Sequence, residues 1–305
     1  MNNIDDLEKV DLVAPLDDKY YNLNENEKAF YKSLTGIDDD ESLKRHIVSV
    51  QTEAYKVFPY PCIRWFTFAR LQISRQPVYD QFIKLGKERP GAIFLEMACC
   101  FGADVRKAVA DGYPVENCVA TDLQPEFWEL GHKLFKDSLT EFPVPFLAGD
   151  AFDQSFLTPS PIQAVVSSSP TTPPTLSDLK SLTPLAGHVS AIHATNFFHL
   201  FDEGKQLTLA RALAGLLDPR PGSVIFGWHM GRPEKGDLTW PAPPGSGKDG
   251  WSLFCHCAES WREMWEHEVF KGIPVKVDAR EEVQPTPPDM KLEGAIRLVW
   301  SVTRV

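Results

Sequence analysis

Short apolar runs alternate with amphipathic stretches in the middle of the chain, and the first two runs lead into acids. The first run, residues 92–95, is followed by Glu96, and the second, residues 118–120, leads through one threonine to Asp122. Between them, apolar residues recur at helical spacing. A turn of small residues precedes this helix, and it contains Ala98, Cys99, Cys100 and Gly102. The pattern predicts a βαβ unit of a parallel sheet.

The same pattern predicts three more strands, at residues 144–148, 188–194 and 223–228. The third strand is followed directly by Gly149 and Asp150. Strands of a parallel sheet end on one edge, so we expect Glu96, Asp122 and Asp150 to converge on a single crevice there.

The segment before the first strand is predicted to be a helical cap. Residues 1–35 indicate an arm that folds over the rest of the chain. A helix is predicted from about residue 38 to residue 58, where Pro59 ends it. An aromatic-rich helix is predicted over 63–85, with an interruption at Pro77. We therefore predict a cap over residues 1–90 and a core over residues 91–305.

The C-terminal half adds loops, two helices and a terminal hairpin. The proline-rich stretch 154–186 is predicted to be a loop with one short strand at 162–166. Residues 203–217 and 251–268 are predicted to be helical, and 231–250 is predicted to be a loop that could act as a lid. Residues 273–277 and 295–305 favour an antiparallel hairpin. The predicted fold is α/β, a Rossmann-like seven-stranded sheet with an antiparallel C-terminal hairpin and an N-terminal helical cap.

Composition narrows the functional classes. The chain has 305 residues, is 43% hydrophobic and carries a net charge of −11. Such an acidic chain is a poor candidate for nucleic-acid binding, which depends on Lys and Arg at phosphates, so a small-molecule partner is expected. No apolar run is long enough to span a membrane, and the acidic N-terminus is unlike a signal peptide. The six cysteines do not form a disulfide scaffold, so we expect a reduced cytoplasmic protein.

Cys255-His256-Cys257 has no second ligand pair at zinc spacing, and adjacent side chains on a helix diverge. No metal site is therefore predicted.

Two ligand classes fit the turn after the first strand, namely dinucleotides and S-adenosylmethionine (SAM). A dinucleotide pattern would place glycines at positions 98 and 100, which are Ala and Cys here. The SAM pattern has an acid, a small residue two positions later and a glycine six positions later, which Glu96, Ala98 and Gly102 supply. On this interpretation Glu96 faces the amino group of the ligand and Asp122 binds its ribose. SAM is favoured, and a turn with no ligand remains the structural alternative.

The chain also resembles a known family over nearly its whole length. The resemblance is carried by TGIDDDESLKRHI, AYKVFPYPCIRWFTF, LEMACCFGADVRKAVADGYPVENCVATDLQPEFWELGHKLF, GDAFD and HATNFFHLF. In these segments it is similar to class I SAM-dependent methyltransferases of fungal secondary-metabolite (meroterpenoid-type) clusters. The chain differs at Ala98, where relatives typically carry glycine.

The resemblance implies the class I methyltransferase sheet, SAM as cofactor and S-adenosylhomocysteine (SAH) as product. It also implies an acceptor carboxyl or hydroxyl group on a terpenoid or polyketide-type metabolite, and suggests a homodimer. The cofactor would be bound by the turn after Glu96, by Asp122-Leu123, by Asp150-Ala151-Phe152 and by His193.

The choice of acceptor decides whether the reaction needs a base. A carboxylate is nucleophilic at neutral pH, whereas an alcohol or phenol needs a general base. The candidate bases are His193, His199 and His229. An apolar substrate pocket is predicted from Tyr20, Tyr21, Tyr60, Phe197 and Trp228.

Two other functions remain open. One is an NAD(P)-dependent oxidoreductase on the same kind of sheet, which the absence of a Tyr-x-x-x-Lys or comparable hydride-transfer signature disfavours. The other is a non-catalytic, SAM-binding methyltransferase-like protein.

Overall fold

The computed structural model describes residues 14–165, 172–240, 251–283 and 292–305. Its α-helices in these ranges are α1 Glu25–Thr35, α2 Asp40–Val57, α3 Pro61–Arg64, α4 Tyr79–Glu88, α5 Ala103–Ala110, α6 Pro125–Phe135, α7 Glu203–Leu216 and α8 Ala258–Glu263, which continues as a π-helical turn over Met264–Val269. Its strands are β1 Ile93–Met97, β2 Cys118–Asp122, β3 Phe146–Ala148, β4 Val189–His193, β5 Val224–Gly231, β6 Gly236–Trp240, β7 Trp251–Cys255, β8 Val275–Val283 and β9 Ile296–Arg304. None of these helices combines the length and apolar character that crossing a membrane requires.

Seven of the strands form one sheet in the order β3-β2-β1-β4-β5-β9-β8. Strands β1 to β5 pair in parallel, while β9 runs antiparallel to both of its neighbours, β5 and β8. The strand order reverses between β1 and β4, which is where doubly wound sheets open a ligand crevice beyond the strand carboxyl ends. This confirms the predicted seven-stranded sheet with its antiparallel C-terminal hairpin.

Helices and loops cover both faces of the sheet. Every residue of β1 and β4 is buried, as expected for central strands of a parallel sheet. On one face Leu95 and Ile192 pack in the same cluster as Leu213 of α7. On the other face Phe94 packs with Phe82 of α4, at 4.8 Å between ring centroids.

The predicted N-terminal cap is helical, and it packs on α6. Helix α1 begins with a capping box in which the Asn24 side chain and the Glu27 carboxylate each bond the other's backbone N–H, both at 2.9 Å. Tyr31 stacks on Phe135 at 5.2 Å between centroids, and α2 also contacts α6. The arm predicted over 1–35 thus contains a full helix, while residues 1–13 lie outside the described part. A domain boundary at residue 90 stays a prediction.

The helix predicted over 63–85 is wrong as a single element. The chain forms α3, two 3₁₀ turns at Thr67–Ala69 and Ile73–Arg75, and then α4. Phe66 adopts φ 55°, a left-handed conformation that ends a helix, and Pro77 lacks the N–H that a continuing helix needs.

The predictions for residues 231–268 also need correction. The predicted loop contains β6, which pairs antiparallel with β7, although residues 241–250 lie outside the described part. Residues 251–255 form a strand, and the predicted helix begins only at α8, after the N-cap Cys257. Inward Leu253 and Cys255 alternate with less buried neighbours, which is a period of two.

The stretch 154–186 is largely irregular, as predicted, with 3₁₀ turns at Leu176–Asp178 and Thr183–Leu185. The short strand predicted at 162–166 is wrong over residues 162–165, which form no strand, and residue 166 lies outside the described part.

Candidate active site

The turn after β1 is strained at two positions. Ala98 and Cys100 have φ values of 51° and 50°, and Gly102 has 67°. The left-handed region costs a residue with a side chain about 1–2 kcal/mol, and only Gly102 avoids this penalty. A Cβ on Gly102 would lie 2.5 Å from the Trp128 ring, so glycine is required there for space as well. The turn therefore holds a tight backbone shape at the carboxyl end of β1.

Asp122 ties this turn to the end of β2. Its Oδ2 accepts a hydrogen bond from the Cys100 N–H at 2.8 Å, and its Oδ1 accepts one from the Gln124 N–H at 3.1 Å. Burial raises the pKa of Asp122, while these backbone donors oppose the shift. The next residue, Leu123, is 45% exposed, which is high for a leucine beside a partly buried carboxylate. The Leu123 side chain thus exposes an apolar surface next to the Asp122 carboxylate, which two backbone N–H groups hold in place.

The third acid follows on the neighbouring strand, as predicted. Asp122 is in register with Ala148 of β3, and the Gly149 N–H donates to the Asp122 carbonyl at 3.1 Å. Asp150 is exposed and accepts a bond from the Phe152 N–H at 2.8 Å. Glu96, Ala98, Gly102, Leu123, Ala151 and Phe152 lie with them along the carboxyl ends of β1, β2 and β3.

Glu96 and His193 form a buried pair across β1 and β4, where they are in register. The Glu96 Oε1 and the His193 Nδ1 lie 2.8 Å apart, and the His193 Nε2 lies 2.6 Å from the Thr195 hydroxyl oxygen. Burial raises the pKa of Glu96 and lowers that of His193 to about 4, with Asp104 opposing the second shift. The ring is therefore neutral, and both of its nitrogens are engaged, Nδ1 with Glu96 and Nε2 with Thr195. The other Glu96 oxygen, Oε2, is buried without a hydrogen-bond partner in the described chain.

Asp104, in the first turn of α5, completes this cluster. Its Oδ1 accepts bonds from the N–H groups of Gln72 and Ile73, at 2.8 and 3.0 Å. Burial raises the pKa of Asp104 to about 6, with His193 opposing the rise. Potential ligand atoms of Glu96, Asp104 and His193 lie within 4.8 Å of one another. A metal ion would have to displace a hydrogen bond to reach either nitrogen of His193, so we assign none, and the expectation of no metal stays a prediction.

His199 lies in a 3₁₀ turn, Phe198–Leu200, that follows β4, and His229 lies within β5. The His199 Nδ1 accepts the Met230 N–H at 3.4 Å, and the His229 Nδ1 accepts the Trp300 indole N–H at 2.9 Å. Burial lowers the pKa of His199 to about 4. Burial also lowers the pKa of His229 well below its usual range, and the nearby His199 and His256 add to that shift. Each neutral ring therefore carries its proton on Nε2. His229 is fully buried, with its ring 4.6 Å from that of Trp261.

The predicted pocket residues occupy four different places. Tyr60 lies near Asp122, which adds to the burial that raises the Tyr60 pKa, and its ring is 6.0 Å from that of Phe127. Tyr20 and Tyr21 pack in the interior of the cap. Phe197 packs on the opposite face of the sheet, in the cluster that contains α7. Trp228 lies at the end of β5, beneath the guanidinium of Arg297.

Sequence reasoning missed Asp104, Thr195 and Arg297. Asp104 lies two residues after Gly102, in the first turn of a predicted helix, and Thr195 lies two residues after His193. This short spacing from predicted site residues is a sequence signal for both. Arg297 is 69 positions from Trp228 in the sequence, and only the pairing of β5 with β9 brings them together.

The chain is similar in sequence to known fungal methyltransferases. Residues 18–69 match the family model of the meroterpenoid methyltransferase N-terminal domain. The chain is 31% identical to the O-methyltransferase phiE of a fungal species over 245 residues, which is 79% of this chain and 70% of phiE. It is 30% identical to the methyltransferase adrK of Penicillium roqueforti, covering 87% of this chain and 84% of adrK. It is 28% identical to the Asnovolin E/Chermesin D methyltransferase nvfJ of Aspergillus novofumigatus, covering 94% and 92%.

Proposed function

This chain belongs to the family of fungal methyltransferases that includes phiE and adrK, and we propose that it uses SAM to methylate a carboxyl oxygen of a small secondary metabolite. When bound, SAM supplies an electrophilic methyl group on a sulfonium. The remaining work falls to the protein, which must align the acceptor with that methyl group and exclude water.

The residues at the sheet edge fit this cofactor. The unpartnered Oε2 of Glu96 is an acceptor suited to the amino group of SAM. Asp122, fixed by two backbone N–H groups, would accept the ribose hydroxyls. Asp150 would accept the adenine amino group, and the exposed face of Leu123 would pack on the adenine ring together with Ala151 and Phe152.

The state of the histidines supports a carboxylate acceptor. Both nitrogens of His193 are engaged, and His199 and His229 use Nδ1 as acceptors. In these neutral tautomers none of the three has an unprotonated ring nitrogen left over for an acceptor hydroxyl. A carboxylate is ionised at neutral pH and needs no such base. In this proposal His193 positions Glu96 and Thr195, and His199 donates from Nε2.

The first test is cofactor binding. The purified protein is titrated calorimetrically with SAM, SAH and NADPH, and we expect binding of SAM and SAH only. Binding of NADPH alone would support the oxidoreductase, and binding of SAM with no turnover of any acceptor would support the non-catalytic alternative.

The second test compares an acid with a matched alcohol, for example farnesoic acid and farnesol as probes. We expect methyl ester formation from the acid, detected by mass spectrometry, with a rate that changes little between about pH 6 and pH 9, since the carboxylate is ionised throughout. Faster methylation of the alcohol, together with a rate that rises through a histidine-like pKa and loses that rise in His199→Ala, would contradict the proposal and favour a hydroxyl acceptor.

The terpenoid or polyketide nature of the acceptor, the homodimer and the cytoplasmic location stay predictions. Light scattering of the purified protein measures the second of these directly.

A further inference from the structure

Trp228 and Arg297 form an isolated cation–π pair at the sheet edge. In the antiparallel pairing of β5 with β9, Trp228 lies opposite Val299 and Met230 lies opposite Arg297, so Trp228 and Arg297 are diagonal neighbours on one face. The Arg297 guanidinium carbon lies 4.1 Å from the centroid of the Trp228 ring. At this distance the guanidinium is within the range of a cation–π contact with the indole.

Both members of the pair carry an unused hydrogen-bond donor. The Trp228 Nε1 and the Arg297 Nε are buried and have no partner among the described residues. Leaving a buried donor unpaired is unfavourable, so two of them side by side indicate an absent acceptor. Unpaired indole N–H groups also occur at Trp128, Trp261 and Trp265. The arginine over the Trp128 ring, Arg106, is paired with Asp137, and the side chains of Trp261 and Trp265 are fully buried in the aromatic core.

The charge around Arg297 is not balanced. Within the described chain Arg297 makes no ion pair, and its one polar side-chain contact is to the Gln72 Oε1 at 3.5 Å. The neighbouring Arg75 pairs with the buried Glu27 at 2.5 Å. Burial lowers the pKa of Arg297, with Glu282 opposing and Arg75 adding to the shift, and an arginine stays charged at neutral pH. Among the described residues, the charge of Arg297 therefore has no carboxylate within ion-pair distance.

The pair lies next to the proposed methyl-transfer site. Gln72, which holds Arg297, donates its backbone N–H to Asp104 of the Glu96–His193 cluster. Met230, on the same face, packs with Leu238 and Leu253 of the β6–β7 hairpin, and Phe58 and Trp65 of the cap pack against this group. The pair therefore lies where the cap, the hairpin and the sheet edge meet.

We propose that Arg297 and the indole N–H of Trp228 form a carboxylate-binding site that recognises the acidic acceptor, an inference that rests on the proposed function. A guanidinium can bind both oxygens of a carboxylate side by side, and the indole N–H adds a donor of fixed direction. Such a site binds an acid and rejects its ester or alcohol, because the neutral ligand leaves the buried cation uncompensated.

The test measures binding without turnover. SAH-loaded protein is titrated calorimetrically with farnesoic acid and, separately, with methyl farnesoate. We expect the wild type to prefer the acid, and Arg297→Gln to weaken acid binding by roughly 10–100-fold, the range for a hydrogen bond to a charged group. Arg297→Lys should recover part of this loss, and Trp228→Phe, which keeps the stacking surface but lacks the N–H, should show a smaller loss. Arg280→Gln is the matched control, since Arg280 is exposed on β8 and pairs with Asp278.

Several results would overturn this assignment. One is a wild type that binds the acid no better than the ester. Another is an Arg297→Gln variant that weakens both equally, which would indicate packing. A third is weakened SAH binding in Arg297→Gln with acid binding unchanged, which would assign the carboxylate to the cofactor's amino-acid end. Failure of the proposed function is read separately, from SAM binding and methyl transfer by the wild type, because the acid and ester titrations involve no reaction.

Discussion

Ala98 provides a direct test of the strained cofactor turn. At φ 51° its backbone is left-handed, a conformation that glycine adopts without penalty. The perturbation is therefore Ala98→Gly, a substitution that normally destabilises a protein.

The expected magnitude is the balance of three terms. Removing the left-handed penalty gains about 1–2 kcal/mol. The extra freedom of glycine in the unfolded chain costs about 0.4–1 kcal/mol. Ala98 is only partly buried against the core, so losing its methyl group costs about half of the ~0.8 kcal/mol for a fully buried one. The free energy of unfolding should thus change by between about −0.4 and +1.2 kcal/mol, the sum of these ranges.

Ala29→Gly is the matched control, because Ala29 is exposed inside α1 and has no left-handed strain. It should lose about 1 kcal/mol, the usual glycine penalty in a helix. The assay is urea unfolding of wild type and both variants, followed by calorimetric titration with SAM. We expect Ala98→Gly to be at least as stable as Ala29→Gly and to bind SAM with nearly wild-type affinity. An Ala98→Gly variant that is less stable than Ala29→Gly would refute the strain argument.

Three further predictions follow from the same geometry. Gly102→Ala should lower the free energy of unfolding by about 2–5 kcal/mol, since left-handed strain and overpacking add. Gly36 is also left-handed, but nothing lies within 4 Å of an added Cβ, so Gly36→Ala should lower it by only about 1–2 kcal/mol. Thermal or urea unfolding measures both. Burial raises the pKa of Glu96, whereas a cationic ligand at its free oxygen favours the ionised form, so SAM binding should release protons and tighten as pH rises. Calorimetry in buffers of different ionisation enthalpy measures the proton release. Equal heats in all buffers would contradict this prediction. Burial lowers the pKa values of His193, His199 and His256 from 6.5 to about 4. Their contribution to the free energy of unfolding is therefore complete above about pH 6.5 and is lost as the pH falls toward 4. Urea midpoints that stay constant over that pH interval would contradict this.

The residues at the carboxyl edge of the sheet can be predicted from the sequence because short local patterns determine their positions. Each of the first three strands is a short apolar run followed within two residues by an acid, and parallel pairing alone aligns the ends of such strands. The positions of Glu96, Asp122 and Asp150 therefore follow from strand boundaries, without any knowledge of long-range packing. The amphipathic spacing of apolar residues and the proline that follows likewise predict the cap helix α2 from local sequence.

The parts that could not be predicted depend on contacts between distant segments. Strand β7 was mistaken for a helix because its five residues are followed by helical ones, and only pairing with β6 distinguishes the two states. The protonation of His199 and His229 depends on which donor reaches Nδ1, and for His229 that donor is Trp300, from another strand. Residue type alone predicts a candidate base, whereas the hydrogen-bond partner decides whether a free lone pair remains.

Unpartnered polar atoms at two places on the sheet edge suit ligands of opposite charge. Next to the cofactor turn, the Glu96 Oε2 is an unused acceptor. Beneath the cap and hairpin, the unused atoms are donors, the Trp228 Nε1 and the Arg297 Nε. An acceptor suits a cationic cofactor and donors suit an anionic acceptor, which are the two charges that methyl transfer to a carboxylate brings together. Since each unpaired buried group costs about 1–3 kcal/mol, binding the two ligands would recover part of that free energy. A neutral acceptor could take the same hydrogen bonds but would leave the charge of Arg297 uncompensated.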